Sequence, residues 1–211
     1  PQASKLLTQF ARMTGFPCTL TLMGLGVYPA SDKQYLGMVG MHGTYESNLA
    51  MHHCDLMICV GARFDDRITG RIDAFSPGSK KIHIDIDPSS INKNVAVDLP
   101  IVGDVKSVLT DIIKEYKAKK VKPEQKALNG WWRQINSWRK QDCLNYARAT
   151  DDTIKPQYAI ERLYQLTRKH KDVRITTEVG QHQMWAAQHF HFDKPNQWMT
   201  SGGLGTMGYG L

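Results

Sequence analysis

Short apolar runs alternate with segments of helical spacing through the first two-thirds of this 211-residue chain, and that alternation restricts the fold more than any other feature. Strand-like runs occur at 18–22, 55–60, 81–86 and 97–102. Alongside them lie a predicted helix over 4–14, with Leu6, Leu7, Phe10, Ala11 and Met13 on one face, a second over 44–53, and a third over 105–116 carrying Val105, Val108, Leu109, Ile112, Ile113 and Tyr116. The 55–60 run is nearly all apolar, as expected of a strand covered on both faces. The pattern predicts an α/β fold with a mostly parallel sheet. Such sheets bind ligands in the loops that leave the strands. Three loops qualify: Met23-Gly24-Leu25-Gly26, Gly61-Ala62-Arg63-Phe64-Asp65-Asp66-Arg67, and Asp85-Ile86-Asp87-Pro88-Ser89-Ser90.

Composition excludes several classes. With 41% apolar and 22% charged residues the chain reads as globular rather than disordered. The formal charge of +7 would suggest a polyanion partner, but nine Lys/Arg against two Glu lie within 114–140 and the rest of the chain is neutral. The excess therefore reads as a solvated connection, and neither nucleic acid nor membrane is an expected partner. No apolar run approaches the ~20 residues of a membrane span. The start, Pro1-Gln2-Ala3-Ser4-Lys5, lacks a charged n-region followed by an apolar stretch. Cys18, Cys54, Cys59 and Cys143 have no zinc-type spacing and are too few for a disulfide scaffold, so free thiols and a cytoplasmic location are expected.

A basic, Pro123-containing stretch over 117–126 reads as a linker, and 131–147 as a helix anchored by Trp131, Ile135, Trp138 and Tyr146. Asp152-Thr153-Ile154-Lys155-Pro156 is a helix-start signal for 156–169, where Ala159, Leu163 and Leu166 form an apolar stripe. A strand over 173–177, a helix near 183–188 and a strand over 198–201 follow, the last running into a glycine-rich turn. The expected organisation is a central domain over 1–116, a basic linker and helix over 117–150, and the opening of a second α/β domain over 151–211. The opening helix has no strand before it and the chain stops at a strand–turn–helix pattern, so both domains are expected to be cut.

The 61–67 loop places two guanidiniums beside exposed backbone, which suits a diphosphate. The same residues also suit a salt-bridged loop in which Asp65 and Asp66 satisfy Arg63 and Arg67. Gly24-Leu25-Gly26 lacks the third glycine of a dinucleotide fingerprint. Asp85, ending a strand, could hold a ribose hydroxyl or cap a turn, and Asp87 is a candidate cap. His42, in a glycine-flanked turn, reads more readily as structural. His182, His189 and His191 have no acidic residue completing a ligand set, which argues against a metal site. The 202–210 segment has five glycines in nine residues around Met207, a run that admits close ligand approach or tight packing.

In order, the segments Leu20-Thr21-Leu22-Met23-Gly24-Leu25-Gly26, Gly37-Met38-Val39-Gly40-Met41-His42-Gly43, Val60 through Gly70, Ile82-His83-Ile84-Asp85-Ile86-Asp87-Pro88, Val179-Gly180-Gln181-His182-Gln183-Met184-Trp185-Ala186-Ala187-Gln188 and Thr200 through Leu211 resemble the acetohydroxyacid synthase (acetolactate synthase) catalytic subunits, a thiamine-diphosphate enzyme family. The resemblance covers essentially the whole chain. It implies a parallel-sheet FAD-binding central domain without its first strand, followed by the opening of a thiamine-diphosphate-binding domain. It also implies an FAD site of Thr21, Leu22, Met41, His42, Gly61, Arg63, Asp65, Arg67, Ile68, Asp85, Ile86, Asp104 and Val105. Thiamine diphosphate would meet Val179, Gly180, Gln181 and His182 at its phosphates and Gly205 and Met207 at its aminopyrimidine.

The implied reaction is the decarboxylative condensation of two 2-keto acids in branched-chain amino-acid synthesis. Two pyruvates give 2-acetolactate, and pyruvate with 2-ketobutyrate gives 2-aceto-2-hydroxybutyrate. FAD takes no net redox part. The resemblance further implies a homo-oligomer and a regulatory small subunit. The activating glutamate belongs to an N-terminal domain with no counterpart here, so no catalytic residue is assigned. The Mg²⁺-binding segment is expected beyond Leu211, so no metal ligand is assigned. The isolated chain is therefore expected to be inactive. Rival readings are another thiamine-diphosphate carboligase or oxidase, such as glyoxylate carboligase, and a non-catalytic nucleotide-binding module.

Overall fold

The computed structural model describes residues 2–147, 153–170 and 172–211. Asp152 of the predicted helix-start signal, and the end of the 117–150 connection, lie outside the described residues. The elements run α1 (Gln2–Thr14), β1 (Cys18–Leu20), β2 (Tyr35–Met38), α2 (Tyr45–His53), β3 (Leu56–Val60), α3 (Asp66–Thr69), β4 (Lys80–Asp85), β5 (Leu99–Val102), α4 (Val105–Ala118), α5 (Gln125–Arg139), α6 (Pro156–Thr167), β6 (Ile175–Thr177), α7 (Gln181–His189) and β7 (Trp198–Thr200). Every described strand pairing is parallel, in three small sheets ordered β1-β2, β3-β4-β5 and β6-β7.

Side chains satisfy first free N–H groups at the starts of two of the helices. Thr44 accepts from the Ser47 N–H at the start of α2, and Asp104 accepts from the Ser107 N–H at the start of α4. Helix α4 buries Leu109 and Ile113 against Phe10 of α1, with Ile58 and Val60 of β3 alongside. The neighbouring core joins Ala11, Leu20, Leu25, Tyr28 and Met38 to Ala186, Ala187, Phe190, Phe192 and Trp198. At its edge Lys194 carries its carbonyl to where a β-carbon on Gly26 would stand, so only glycine, at φ 87°, fits there.

One sequence expectation is met and two are corrected. Strand β3 is packed on both faces, as expected, with Ile58 and Val60 against Phe10, Leu109 and Ile113 and with Met57 and Cys59 against Phe64, Phe75 and Val95. Leu56 is exposed and the other four residues are half-buried, since among the described residues only β4 pairs with it. The basic linker shrinks to 119–124, because α4 continues through Lys117 and α5 begins at Gln125. Helix α5 accordingly spans Gln125–Arg139 rather than 131–147. It buries Ile135 with Leu36 and Ala50, and Trp131, Trp132 and Trp138 pack around them. The Trp132 indole N–H donates to the Gly15 carbonyl at 2.9 Å, and Arg139 donates to the Tyr35 carbonyl at 2.6 Å. Tyr146 instead donates to Glu161 of α6 at 2.7 Å.

All four cysteines are free. Burial pushes the Cys18 and Cys59 thiols up to about 12. At pH 8 only about one molecule in ten thousand then carries either thiolate, the reactive form. Mass-spectrometric mapping after brief iodoacetamide treatment at pH 8 is expected to find exposed Cys143 modified and Cys18 and Cys59 at least tenfold less so.

Candidate functional site

The residues expected at a flavin all follow the C-terminal ends of parallel strands. Thr21 and Leu22 follow β1, Met41 and His42 follow β2, and the 61–68 segment follows β3. Asp85 ends β4 with Ile86 next to it, Asp104 caps α4 after β5, and Val105 opens α4. The strand ends are tied directly to one another: the Gly61 N–H donates to the Ile84 carbonyl at 2.8 Å and the Gly103 N–H to the Asp85 carbonyl at 2.9 Å. A second tie joins the turn after β2 to the end of the long loop, through Met41 N–H to the Arg67 carbonyl at 2.8 Å. Asn48 clamps Gly40 there, its Oδ1 accepting from the Gly40 N–H at 2.8 Å and its Nδ2 donating to the Gly40 carbonyl at 2.9 Å.

Gly61 turns the chain at φ 64°, leaving its α-carbon open except for Val105. Arg63 pairs with Asp65 at 2.9 Å and Arg67 with Asp66 at 3.7 Å, so both pairings of the salt-bridged reading occur. All four side chains are at least half exposed, and such pairs hold their partners weakly. The guanidiniums are therefore free to exchange an exposed carboxylate for a phosphate, which a forked donor binds through two parallel hydrogen bonds. Asp85 is turned inward: its Oδ1 accepts from the Asp87 N–H at 2.9 Å. Asp87 caps the next turn through Ser89, as expected. Asp104 is engaged by Ser107, through its N–H at 3.0 Å and its hydroxyl at 3.3 Å. Met41 and Ile86 present exposed apolar surface at the rim.

The second group lies on the β6–β7 sheet. Gly180 precedes α7, whose first turn exposes Gln181 and His182. The 202–211 segment forms turns rather than a helix. It folds back over β6, with the Gly208 N–H donating to Glu178 and Thr176 donating to the Gly210 carbonyl at 2.9 Å. That return sets Gly205 beside Val179, 3.8 Å from the position of a β-carbon on Gly205. Met207 is exposed. The two groups meet at two places: Gln188 of α7 donates to the His42 carbonyl at 2.9 Å, and the Met23 side chain occupies the space a side chain on Gly202 would need. No described contact joins Thr21 or Leu22 to Arg63 or Arg67.

His189 is buried against Glu161 at 3.4 Å, while His182 stands exposed at the start of α7. Among the described residues no group of three His, Cys, Asp or Glu side chains could hold a metal ion, so no magnesium ligand is assigned to them. No described helix is long and apolar enough to cross a membrane.

Sequence reasoning missed the floor of the 61–67 loop. Phe64 is buried at φ 55°, packed edge-on against His83 at 5.0 Å and Phe75 at 5.8 Å, and its carbonyl accepts from Asn94 at 2.9 Å. The available signal was period two in β4, where Lys81, His83 and Asp85 are buried polar residues on one face.

Parallel sheets whose outgoing loops carry guanidiniums in one region and a glycine run in the other define a cofactor-binding α/β protein. The sequence matches the family described as thiamine pyrophosphate enzyme, central domain, over residues 1–112, and that described as thiamine pyrophosphate enzyme, C-terminal TPP binding domain, over 178–211. The chain belongs to the thiamine pyrophosphate enzyme family. It is similar over its length to acetolactate synthase large subunits. That of Haemophilus influenzae is 49% identical over 210 residues, covering 100% of this chain and 36% of the relative. Acetolactate synthase isozyme 3 large subunit of Escherichia coli is 46% identical over 205 residues, covering 97% and 35%. The acetolactate synthase of Mycobacterium bovis is 44% identical over 210 residues, covering 100% and 34%. The chain thus spans about a third of the length of the curated relatives it matches.

Proposed function

We propose that this chain is the part of an acetolactate synthase large subunit that holds two cofactors, FAD in the central region and thiamine diphosphate across 179–182 and 205–207. The whole protein condenses pyruvate with a second 2-keto acid, pyruvate or 2-ketobutyrate, with loss of CO₂. The observation carrying this reading is identity of 44–49% with acetolactate synthase large subunits through nearly the entire chain, both loop systems included. Thiamine diphosphate, when bound, supplies the electron sink for decarboxylation. This chain's own residues bind and orient. Arg63 and Arg67 would meet the flavin diphosphate, with Asp65 and Ile68 flanking them. Met41 and His42 would line the opposite wall, with Thr21 and Leu22 after β1. Asp85, Ile86, Asp104 and Val105 would surround the adenosine side.

Val179, Gly180 and the first N–H groups of α7 at Gln181 and His182 favour phosphate, because the start of a helix carries unpaired donors and partial positive charge. Gly205 and Met207 would contact the aminopyrimidine. The organisation we adopt is a central domain over 1–116, a connection over 117–150 and a second domain from 151. The large-subunit names of the relatives support a regulatory small subunit as partner. A homo-oligomer, Mg²⁺ bound outside the described residues and a cytoplasmic location complete the proposal.

Two measurements test it. Titration of the chain with FAD, followed by quenching of flavin fluorescence, should show saturable binding. Arg63→Gln and Arg67→Gln should each weaken it about tenfold, since a hydrogen bond to a charged group contributes about 1.5–3 kcal/mol. Binding unchanged in both variants contradicts the diphosphate assignment. Acetolactate formation from pyruvate with thiamine diphosphate, Mg²⁺ and FAD is expected from the protein that includes a glutamate-bearing N-terminal domain, and not from the 211-residue chain alone. Preference for glyoxylate over pyruvate would favour the glyoxylate carboligase alternative.

A further inference from the structure

The Ala62 carbonyl, one residue before Arg63, is held from below by two strands. The His83 Nε2–H of β4 donates to it at 2.9 Å, and the Cys59 thiol of β3 donates to it at 3.1 Å. His83 has no exposed surface, and its Nδ1 has no hydrogen-bond partner among the described residues. The carbonyl acceptor assigns the proton to Nε2. A buried imidazole that spends one nitrogen on a loop carbonyl and leaves the other orphaned is costly for packing alone, since an apolar side chain would fill the space without an unpaired polar atom. The bond it makes falls at a strained place. Phe64, two residues after the held carbonyl, has φ 55°, a conformation that costs a side-chain-bearing residue about 1–2 kcal/mol. The Phe64 ring also rests on His83 itself. Strained backbone of this kind persists where its surroundings over-determine it.

We propose that His83 is the positioning residue of the 61–67 loop: its Nε2–H and ring face together fix Ala62 and Phe64, so that Arg63 leaves the sheet at one angle with its guanidinium in the open. It touches no ligand and acts only through the loop. The consequence for flavin affinity rests on the reading of this loop as a diphosphate site, whereas the consequence for loop order does not.

Hydrogen–deuterium exchange of the ligand-free chain, with His83→Leu and His83→Gln, tests the assignment. Leucine fills the space and removes the donor, and glutamine restores an N–H near the Nε2 position. The hydrogen-bonded amides that bracket the loop, Gly61 on the Ile84 carbonyl and Ile68 and Thr69 on the Asp65 carbonyl, should exchange at least tenfold faster in His83→Leu and within threefold of the parent in His83→Gln. Amides of α1 and α4 should keep their parent rates in both, which a general loss of stability would not allow. Equal loop exchange in all three chains overturns the proposal, as does acceleration spread evenly over α1 and α4. Should His83→Leu fail to fold, the glutamine variant decides: loop exchange within threefold of the parent upholds the proposal, and tenfold faster exchange overturns it.

FAD titration of the same chains separates this assignment from the flavin reading. Tenfold weaker binding in His83→Leu with recovery in His83→Gln supports both. A parent chain that binds no FAD but shows the exchange pattern overturns the flavin reading and leaves His83 as the residue that orders the loop.

Discussion

Gly40→Ala is expected to lower stability by about 3 kcal/mol and to abolish measurable FAD binding, because it acts where the turn after β2 is tied to the Arg67 carbonyl across the proposed flavin site. Gly40 has φ 109°, where a side chain is strained at once. A β-carbon there would also stand 2.6 Å from the Arg67 carbonyl oxygen and 2.8 Å from the Ile68 Cδ1. The isoleucine can turn aside, but the carbonyl is backbone and accepts the Met41 N–H, so it cannot move without breaking that tie. Urea denaturation should show a lower midpoint with an unchanged slope. The related change Gly70→Ala meets φ 57° with ψ −126°, backbone space that glycine occupies and other residues rarely do, but nothing within 4 Å, so it isolates conformational cost from collision and should lose about 1–3 kcal/mol.

Phe64→Ala is expected to cost about 3–4 kcal/mol, the usual loss for a phenylalanine removed from a packed interior. The ring touches His83 and Phe75 and shares a core with Val95, so its removal opens a cavity under the loop. Phe64→Gly should be no worse, and as much as 1 kcal/mol better than alanine. Glycine is relaxed at φ 55°, which reverses the usual ranking of these two residues. Thermal unfolding of the two variants side by side checks the order. A glycine variant markedly less stable than the alanine variant would mean that Phe64 carries no backbone strain.

The residue types of the 61–67 loop were readable because a two-Arg, two-Asp sequence after an apolar run carries its chemistry locally. What holds the loop was not. Phe64 looks like an ordinary apolar residue in sequence, and its burial depends on His83 and Phe75, which other segments bring beneath it. Strand β2 escaped notice because Gly37 interrupts a short run, and glycine is a poor strand former. In the fold Gly37 is required, since the Thr44 side chain fills the place of its β-carbon. The start of α5 was hidden by lysines and Pro123, and its length shows only through three tryptophans that find Leu36 and Ala50 across the fold. The glycine run at 202–210 was visible as composition. Its path was not, because the anchors Thr176 in β6 and Glu178 just after it lie some 30 residues earlier.

The core that joins Leu20, Tyr28 and Met38 to Ala186, Phe192 and Trp198 bears on how the two proposed cofactor sites would respond to each other. Two regions assigned to different domains by sequence share one interior, so neither can loosen alone without exposing apolar surface of the other. A ligand that tightened the proposed flavin end would therefore raise the work of opening the proposed thiamine diphosphate end, and by thermodynamic reciprocity the converse would hold to the same degree. A flavin bound at the proposed site would thus act as a brace, holding the proposed thiamine diphosphate cradle closed from a distance.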